Sequence, residues 1–222
     1  MKSETRKKAD QWRILIVDDH PMMREGLTMR IEREPDFTVC GEAGTAREAL
    51  RLAVSLKPDL AVVDIALPDK SGLELMKDIR AVSPDTLILA LSMHDETIYA
   101  ERVLRAGGRG YIMKQEGGKR IMEAIRTVLE GRVFASHAVS EKILDIFAGG
   151  LEKFEESPVS RLSDREFEVF QLIGKGKSTR QMAAALHLSV KTVEVHRLHI
   201  KEKLGIKTVP ELVSFAARWL EN

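Results

Sequence analysis

Asp64 closes the apolar run Leu60-Ala61-Val62-Val63, and the pair Asp18-Asp19 closes another, Ile14-Leu15-Ile16-Val17. Short continuous apolar runs of this kind read as buried parallel strands, and open α/β sheets bind their ligands beyond the carboxyl ends of such strands. Three acids at two strand tips repel one another unless positive charge lies between them. A divalent cation supplies it, and magnesium suits the donors, because it takes hard oxygen ligands and keeps several waters beside one or two carboxylates. Two later runs also end in polar groups, Thr86 to Leu91 in Ser92 and Arg109 to Met113 in Lys114. A carboxylate such as Asp64 can attack phosphorus and form an acyl phosphate if positive charge holds the oxygens of the transferring group. Magnesium on Asp19 and Asp64, with Asp18 just behind them, gives part of that charge. Lys114 gives the rest, and the Ser92 hydroxyl can hydrogen-bond a phosphoryl oxygen.

Taken singly, each residue has a plainer reading. An acid such as Asp18 or Asp69 after a strand caps a helix or sits in a loop, a lone lysine is a solvated charge, and a lone serine forms a turn. An Asp pair, then Asp, Ser and Lys at successive strand ends of one small domain, points instead to a shared site.

The elements that position these groups alternate strand and helix with little filler. Met22 to Arg33 carries Met23, Leu27 and Ile31 on one face and stops before Pro35; Phe37 to Cys40 is the second strand. Thr45 and Glu48 form a capping box for a helix to Leu56, and Ser71 with Glu74 caps another through Val82. Helices over Asp95 to Ala106 and about Gly118 to Glu130 complete five βα units, which predict a parallel sheet with helices on both faces and right-handed crossovers.

Composition bounds the rest. A chain of 222 residues suits two domains, and aromatics at 5% leave a core of Leu, Ile, Val and Met. From Arg161 to Asn222 there are 11 Lys and Arg against 7 Asp and Glu, whereas residues 1–160 hold 24 against 27, so the tail is basic and the front slightly acidic. That asymmetry suggests an anionic partner for the tail. The single cysteine, Cys40, rules out an internal disulfide and fits a reducing compartment; it reads as a small apolar strand residue. No stretch approaches the ~20 apolar residues of a membrane span, and no signal core follows the polar start, so a cytoplasmic protein without membrane contact is expected.

Ser136 to Phe147 reads as a connecting helix, followed by a Gly-, Ser- and Pro-broken linker to Pro158. The chain therefore divides into a first domain at 12–132, a connector at 133–159 and a second domain at 160–222. Four short helices fill the second. Ser163 to Glu166 and Ser178 to Gln181 are capping boxes, Ser189 caps a third helix to Leu204 that Gly205 ends, and Thr208 with Glu211 caps the last. A short helix, a tight turn and a longer helix make a helix-turn-helix outline. On the longer helix Val193, Ile200 and Leu204 face one way, with Arg197 near them. Lys191, Val195, Leu198 and Glu202, flanked by Glu194 and His199, face the other. That outer face is the one to enter a major groove of double-stranded DNA, with Lys177, Lys201, Lys203 and Lys207 meeting phosphates. Gly176-Lys177-Ser178 looks like the end of a phosphate-binding loop, but Gln171 stands where that motif needs glycine and no strand precedes it.

Residues 13 to about 131 resemble the receiver domain of a two-component response regulator. The likeness rests on Val17-Asp18-Asp19-His20, on Asp64 followed by Leu67-Pro68 and Gly72, on Ser92, and on Tyr111-Ile112-Met113-Lys114. It implies a flavodoxin-like α/β fold in which Asp64 accepts phosphate from a sensor histidine kinase, while Asp18, Asp19, Asp64 and the carbonyl of Ala66 gather Mg2+. It also implies a switch pair, the Ser92 hydroxyl moving toward the phosphoryl group as the Tyr111 ring turns inward. Leu67 stands where Met is more usual, a small change between apolar residues of similar size. Gln115 after Lys114 is a second departure.

The tail resembles the LuxR-type helix-turn-helix, on Leu162-Ser163-Asp164-Arg165-Glu166 with Val169, on Gly174-Lys175-Gly176-Lys177-Ser178, and on Thr192-Val193-Glu194-Val195-His196 with Ile200 and Lys203-Leu204. Together the halves resemble a NarL/FixJ-type regulator. This implies a transcription factor rather than an enzyme, homodimeric on two half-sites or when phosphorylated, with Pro210 to Leu220 helping the tails associate. Two rivals remain open from the residues themselves. A phosphohydrolase with Asp64 as nucleophile wants a second acid two residues on, where this chain has Ala66; a binding module would use Asp64 only within an acidic metal site.

Overall fold

Five short apolar runs form one parallel sheet in the computed structural model, which describes residues 11–93, 96–136 and 158–221. The strands are β1 (Trp12–Val17), β2 (Phe37–Ala43), β3 (Leu60–Asp64), β4 (Leu87–Ser92) and β5 (Gly110–Met113), in the order β2-β1-β3-β4-β5. The chain steps outward from β1 to β2 and then returns past it to β3, so the crevice at the topological switch lies between the tips of β1 and β3. Asp18-Asp19 and Asp64 leave the sheet there.

The strands are buried on both faces, as continuous apolar runs require. Ile14, Ile16, Leu60, Val62, Leu89, Leu91 and Ile112 pack under α1 (Pro21–Ile31) and α5 (Gly117–Leu129) through Leu27, Ile31, Ile121, Ile125 and Val128. The alternate residues Leu15, Val17, Ala61, Val63, Ile88 and Ala90 are equally buried. The other helices are α2 (Ala46–Leu56), α3 (Gly72–Val82) and α4 (Glu96–Arg105), with α3 in contact with both α2 and α4. The chain divides into two compact units, residues 1–140 and 141–222.

Several local expectations needed correction. β2 runs three residues beyond Cys40, because a register shift between Ile14 and Leu15 lets Gly41 pair with Leu15 and the ladder continue to Ala43. Cys40 falls at that irregularity, half-buried, with its thiol 3.5 Å from the Ile14 carbonyl. Thr45 accepts from the Glu48 N–H, but the Glu48 carboxylate reaches Gly44 instead of completing the box. Ser71 holds the N-cap backbone position of α3 without a side-chain cap bond. Its neighbour Gly72 matters more, for a Cβ there would run into the Asp64 carbonyl oxygen and lie 2.7 Å from Ile65 Cα. Residues after α5 add an element the pattern did not suggest: Phe134 bridges Gly110 in parallel, its N–H donating to the Arg109 carbonyl and its own carbonyl accepting from the Tyr111 N–H. The expected helix over Ser136 to Phe147 lies outside the described residues beyond Ser136.

In the second unit a 3₁₀ turn (Pro158–Arg161) precedes α6 (Asp164–Gly174), α7 (Thr179–Ala185), α8 (Val190–Leu204) and α9 (Val209–Glu221). Both halves of the boxes at Ser163 with Glu166 and Ser178 with Gln181 are made, and Ser189 accepts from the Thr192 N–H. The core joins Phe167, Phe170 and Ile173 of α6 to Phe215 and Trp219 of α9, with Phe167 and Trp219 packed edge to face at 5.5 Å. Gly205, at φ +67°, ends α8 in the left-handed conformation that glycine adopts without strain.

Candidate functional site

Asp18, Asp64 and Lys114 meet at the carboxyl end of the sheet. Lys114 Nζ lies 2.6 Å from Asp18 Oδ2 and 2.7 Å from Asp64 Oδ2, with its side chain only 4% exposed. Fifty residues separate Lys114 from Asp64, and the order β1-β3-β4-β5 closes that gap. Asp19, on the same loop as Asp18, is partly exposed at the rim. Burial, reinforced by the Asp18 charge, pushes the Asp64 carboxyl up to about 6, against the pull of Lys114 and the Ala66 N–H. Burial by itself would lower Lys114, but the carboxylates of Asp64 and Asp18 outweigh it and hold the ammonium above the ordinary lysine range. The lysine is therefore a permanent charge beside two acids.

The loops around this pocket are pinned by contacts with no sequence signal. Arg24 donates to the Asp18 carbonyl at 2.6 Å, and Asp69 accepts from the N–H groups of Ala46 and Arg47 at 2.8 and 3.0 Å. Asp69 thus caps α2 across 23 residues, which fixes the loop that follows Asp64. Those backbone donors outweigh its burial and hold its carboxyl below the usual range.

The donors suit a hard cation. Ligand atoms of Asp18, Asp19, His20 and Asp64 all lie within 4.8 Å of one another. Asp18 Oδ2 is buried and, apart from its ion pair with Lys114, accepts no hydrogen bond among the described residues. Ala66, whose N–H donates to Asp64 Oδ1 at 3.2 Å, keeps its peptide at the edge of this group. An ion bound here would be held by carboxylate oxygens, the chemistry of Mg2+ or Mn2+.

Ser92 ends β4, fully buried, one residue beyond the Leu91 that pairs with Asp64. Tyr111 belongs to β5 and is 2% exposed, beside a small hollow lined by Ala100, Val103, Leu104 and Phe134.

In the second unit, α8 presents Lys191, Glu194, Val195, Leu198 and His199 on its exposed side, while Val193 and Ile200 are fully buried. Arg197 donates to Thr179 Oγ1 at 2.8 Å and locks α8 to α7. Val195 and Leu198 are 43% and 50% exposed, unusual for aliphatic residues on a well-packed helix. Lys177 is exposed in the turn before α7. Lys201 and Lys203 are engaged within the domain, Lys201 with the Lys207 carbonyl at 3.3 Å and Lys203 with Glu166 at 2.6 Å. Burial raises Glu166, but Lys203 and the Ser163 N–H and hydroxyl outweigh it and hold the carboxyl below its usual range. No described helix is long and apolar enough to cross a membrane.

Comparison with known proteins accounts for both halves. Residues 14–126 match the response regulator receiver domain, and residues 160–216 match the bacterial regulatory proteins of the luxR family. The oxygen regulatory protein NreC of Staphylococcus aureus (strain JH9) is 36% identical over 210 residues, covering 93% of this chain and 97% of that protein. Among solved structures, RcsB of Salmonella enterica serovar Typhimurium, bound to the rprA promoter in the presence of the phosphomimetic BeF3−, is 25% identical with a TM-score of 0.60, over 94% of this chain and 99% of that one. A LuxR-family two-component response regulator from Aurantimonas sp. SI85-9A1 is 35% identical with a TM-score of 0.57, over 63% of this chain and 99% of that one. Acid pocket, sheet order, helix-turn-helix and relatives converge: the chain belongs to the two-component response regulators, non-enzymatic transcription factors that join a receiver domain to a LuxR-type DNA-binding domain.

Proposed function

We propose that Asp64 is the phosphoryl acceptor of this response regulator, that Asp18, Asp19, Asp64 and the Ala66 carbonyl hold Mg2+ for the transfer, and that a sensor histidine kinase is the donor. The observation that carries the reading is the buried triangle of Asp18, Asp64 and Lys114, with separations of 2.6 and 2.7 Å to the ammonium. When bound, the cation would screen the phosphoryl oxygens and the clustered carboxylates together. An Asp64 carboxylate oxygen forms a bond to phosphorus as the bond from phosphorus to the donor's imidazole nitrogen breaks, and the leaving imidazole keeps the electron pair and takes up a proton. Lys114 stays charged throughout and neutralises oxygen charge on the transferred group. Ser92 donates its hydroxyl to a phosphoryl oxygen, with Tyr111 as its switch partner.

The exposed side of α8, through Lys191, Glu194, Val195, Leu198 and His199, enters the major groove, and Lys177 meets phosphates with Lys201 and Lys203 at its edge. Lys203 contributes less than its exposure suggests, because Glu166 already holds it. Phosphorylation favours a homodimer. The test is to treat the full chain with a small phosphodonor and Mg2+ and weigh it. A single added phosphoryl group, lost in Asp64→Asn, is the expected result; repeated turnover of the donor, or no adduct, would overturn the reading.

A further inference from the structure

Phosphoryl transfer leaves one group at the acid pocket without a task. His20 follows Asp19 directly, and its backbone N–H donates to Asp18 Oδ1 at 2.9 Å, which turns the chain back over the tip of β1. Its ring is not held by packing, since the side chain is 69% exposed. It is held by carboxylates instead: Nδ1 lies 2.6 Å from Asp19 Oδ1 and 3.2 Å from Asp18 Oδ1. The imidazole thus lies at the rim of the acid pocket, with Nδ1 close to both carboxylates.

One nitrogen and three carboxylates share this space, their ligand atoms all within 4.8 Å of one another. Donors on opposite sides of a six-coordinate ion at about 2.1 Å are roughly 4.2 Å apart, so small side-chain movements bring the whole set around a single ion. A magnesium site keeps water in its remaining positions and prefers oxygen. An imidazole nitrogen in one of those positions favours first-row transition ions over Mg2+, because nitrogen binds the softer ions better.

We propose that His20 is a direct ligand of the divalent ion in this pocket, adding one nitrogen to an oxygen site and shifting its preference from Mg2+ toward Mn2+ and related transition ions. The inference rests on the reading that the acid pocket holds a divalent ion. His20 is then a specificity-determining residue: the phosphoryl acceptor and its lysine are unchanged, but the ion that occupies the pocket depends on which metals surround it. Ion binding replaces the contact of Nδ1 with Asp19 by a bond from nitrogen to metal.

The experiment uses the full chain loaded with Mn2+ alone, read by pulsed electron paramagnetic resonance for coupling of the ion to a ring nitrogen. Wild type is expected to show nitrogen coupling that disappears in His20→Ala, a change at an exposed loop position. In the same variant Mn2+ affinity falls relative to Mg2+ affinity. Mn2+ bound in wild type without nitrogen coupling, or coupling that survives in His20→Ala, would overturn the ligand role. If Asp19→Asn abolishes that same nitrogen-free binding, the acid pocket stands while the His20 assignment falls. If wild type binds neither Mn2+ nor Mg2+, both fall together.

Discussion

At the scale of single residues, Lys114 decides what Asp64 can do. Two buried carboxylates share its ammonium, and without that charge one of them must hold a proton or the pair must part. Lys114→Met is therefore expected to slow phosphodonor labelling of Asp64 by roughly a hundredfold or more, the scale seen when one preorganised charge donor is removed from a reacting oxygen. The measurement is the mass-resolved labelling rate in Mg2+; a rate equal to wild type would remove Lys114 from the chemistry. The acids, serine and lysine of this pocket were legible because each ends a short apolar run, and the parallel topology brings such ends together. The supporting contacts were not. Asp69 on the start of α2 and Arg24 on the Asp18 carbonyl join residues whose types are ordinary and whose partners depend on loop paths.

At the scale of elements, the helix-turn-helix is held by a charge that crosses it. Glu166 of α6 is buried at the start of its own helix and bound by Lys203 near the end of α8. Its carboxyl is held below the ordinary glutamate range, so it contributes stability above that range and loses it as pH falls through the lowered folded value. Lys203→Met should cost about 1–2 kcal/mol near neutral pH, less than a fully buried pair because Lys203 is 40% exposed, and should move the acid limb of unfolding upward. Urea unfolding between about pH 3 and 7, followed by Trp219 fluorescence in a Trp12→Phe background, reads both effects. An acid limb unchanged by the substitution would assign Glu166 a purely capping role. The four helices of this unit were legible from their caps, since Ser163, Ser178, Ser189 and Thr208 each bond the N–H that their spacing implies. The end of β2 was not, because a ladder irregularity carries it past Cys40 to Ala43.

At the scale of the whole molecule, the two units match separate families, and the signal must pass from one to the other along the chain or through association. If phosphorylation acts through pairing, sedimentation of the full chain is expected to shift from monomer toward dimer mass with phosphodonor and Mg2+, and to stay unshifted in Asp64→Asn. No shift in wild type would place the switch within a single copy.

The short bridge after α5 has a mechanical consequence. Among the described residues, the stretch after α5 is fastened by hydrogen bonds from Phe134 N–H to Arg109, from Tyr111 N–H to Phe134, and from Ser136 N–H to the buried Glu96 carboxylate at 2.7 Å. The first two run as rungs of a parallel ladder, so a pull on the tether loads them in shear, side by side rather than one after another. Tension applied at Ser136 would reach the strand that carries Tyr111 before the other strands of the sheet, and would load the first turn of α4 through Glu96.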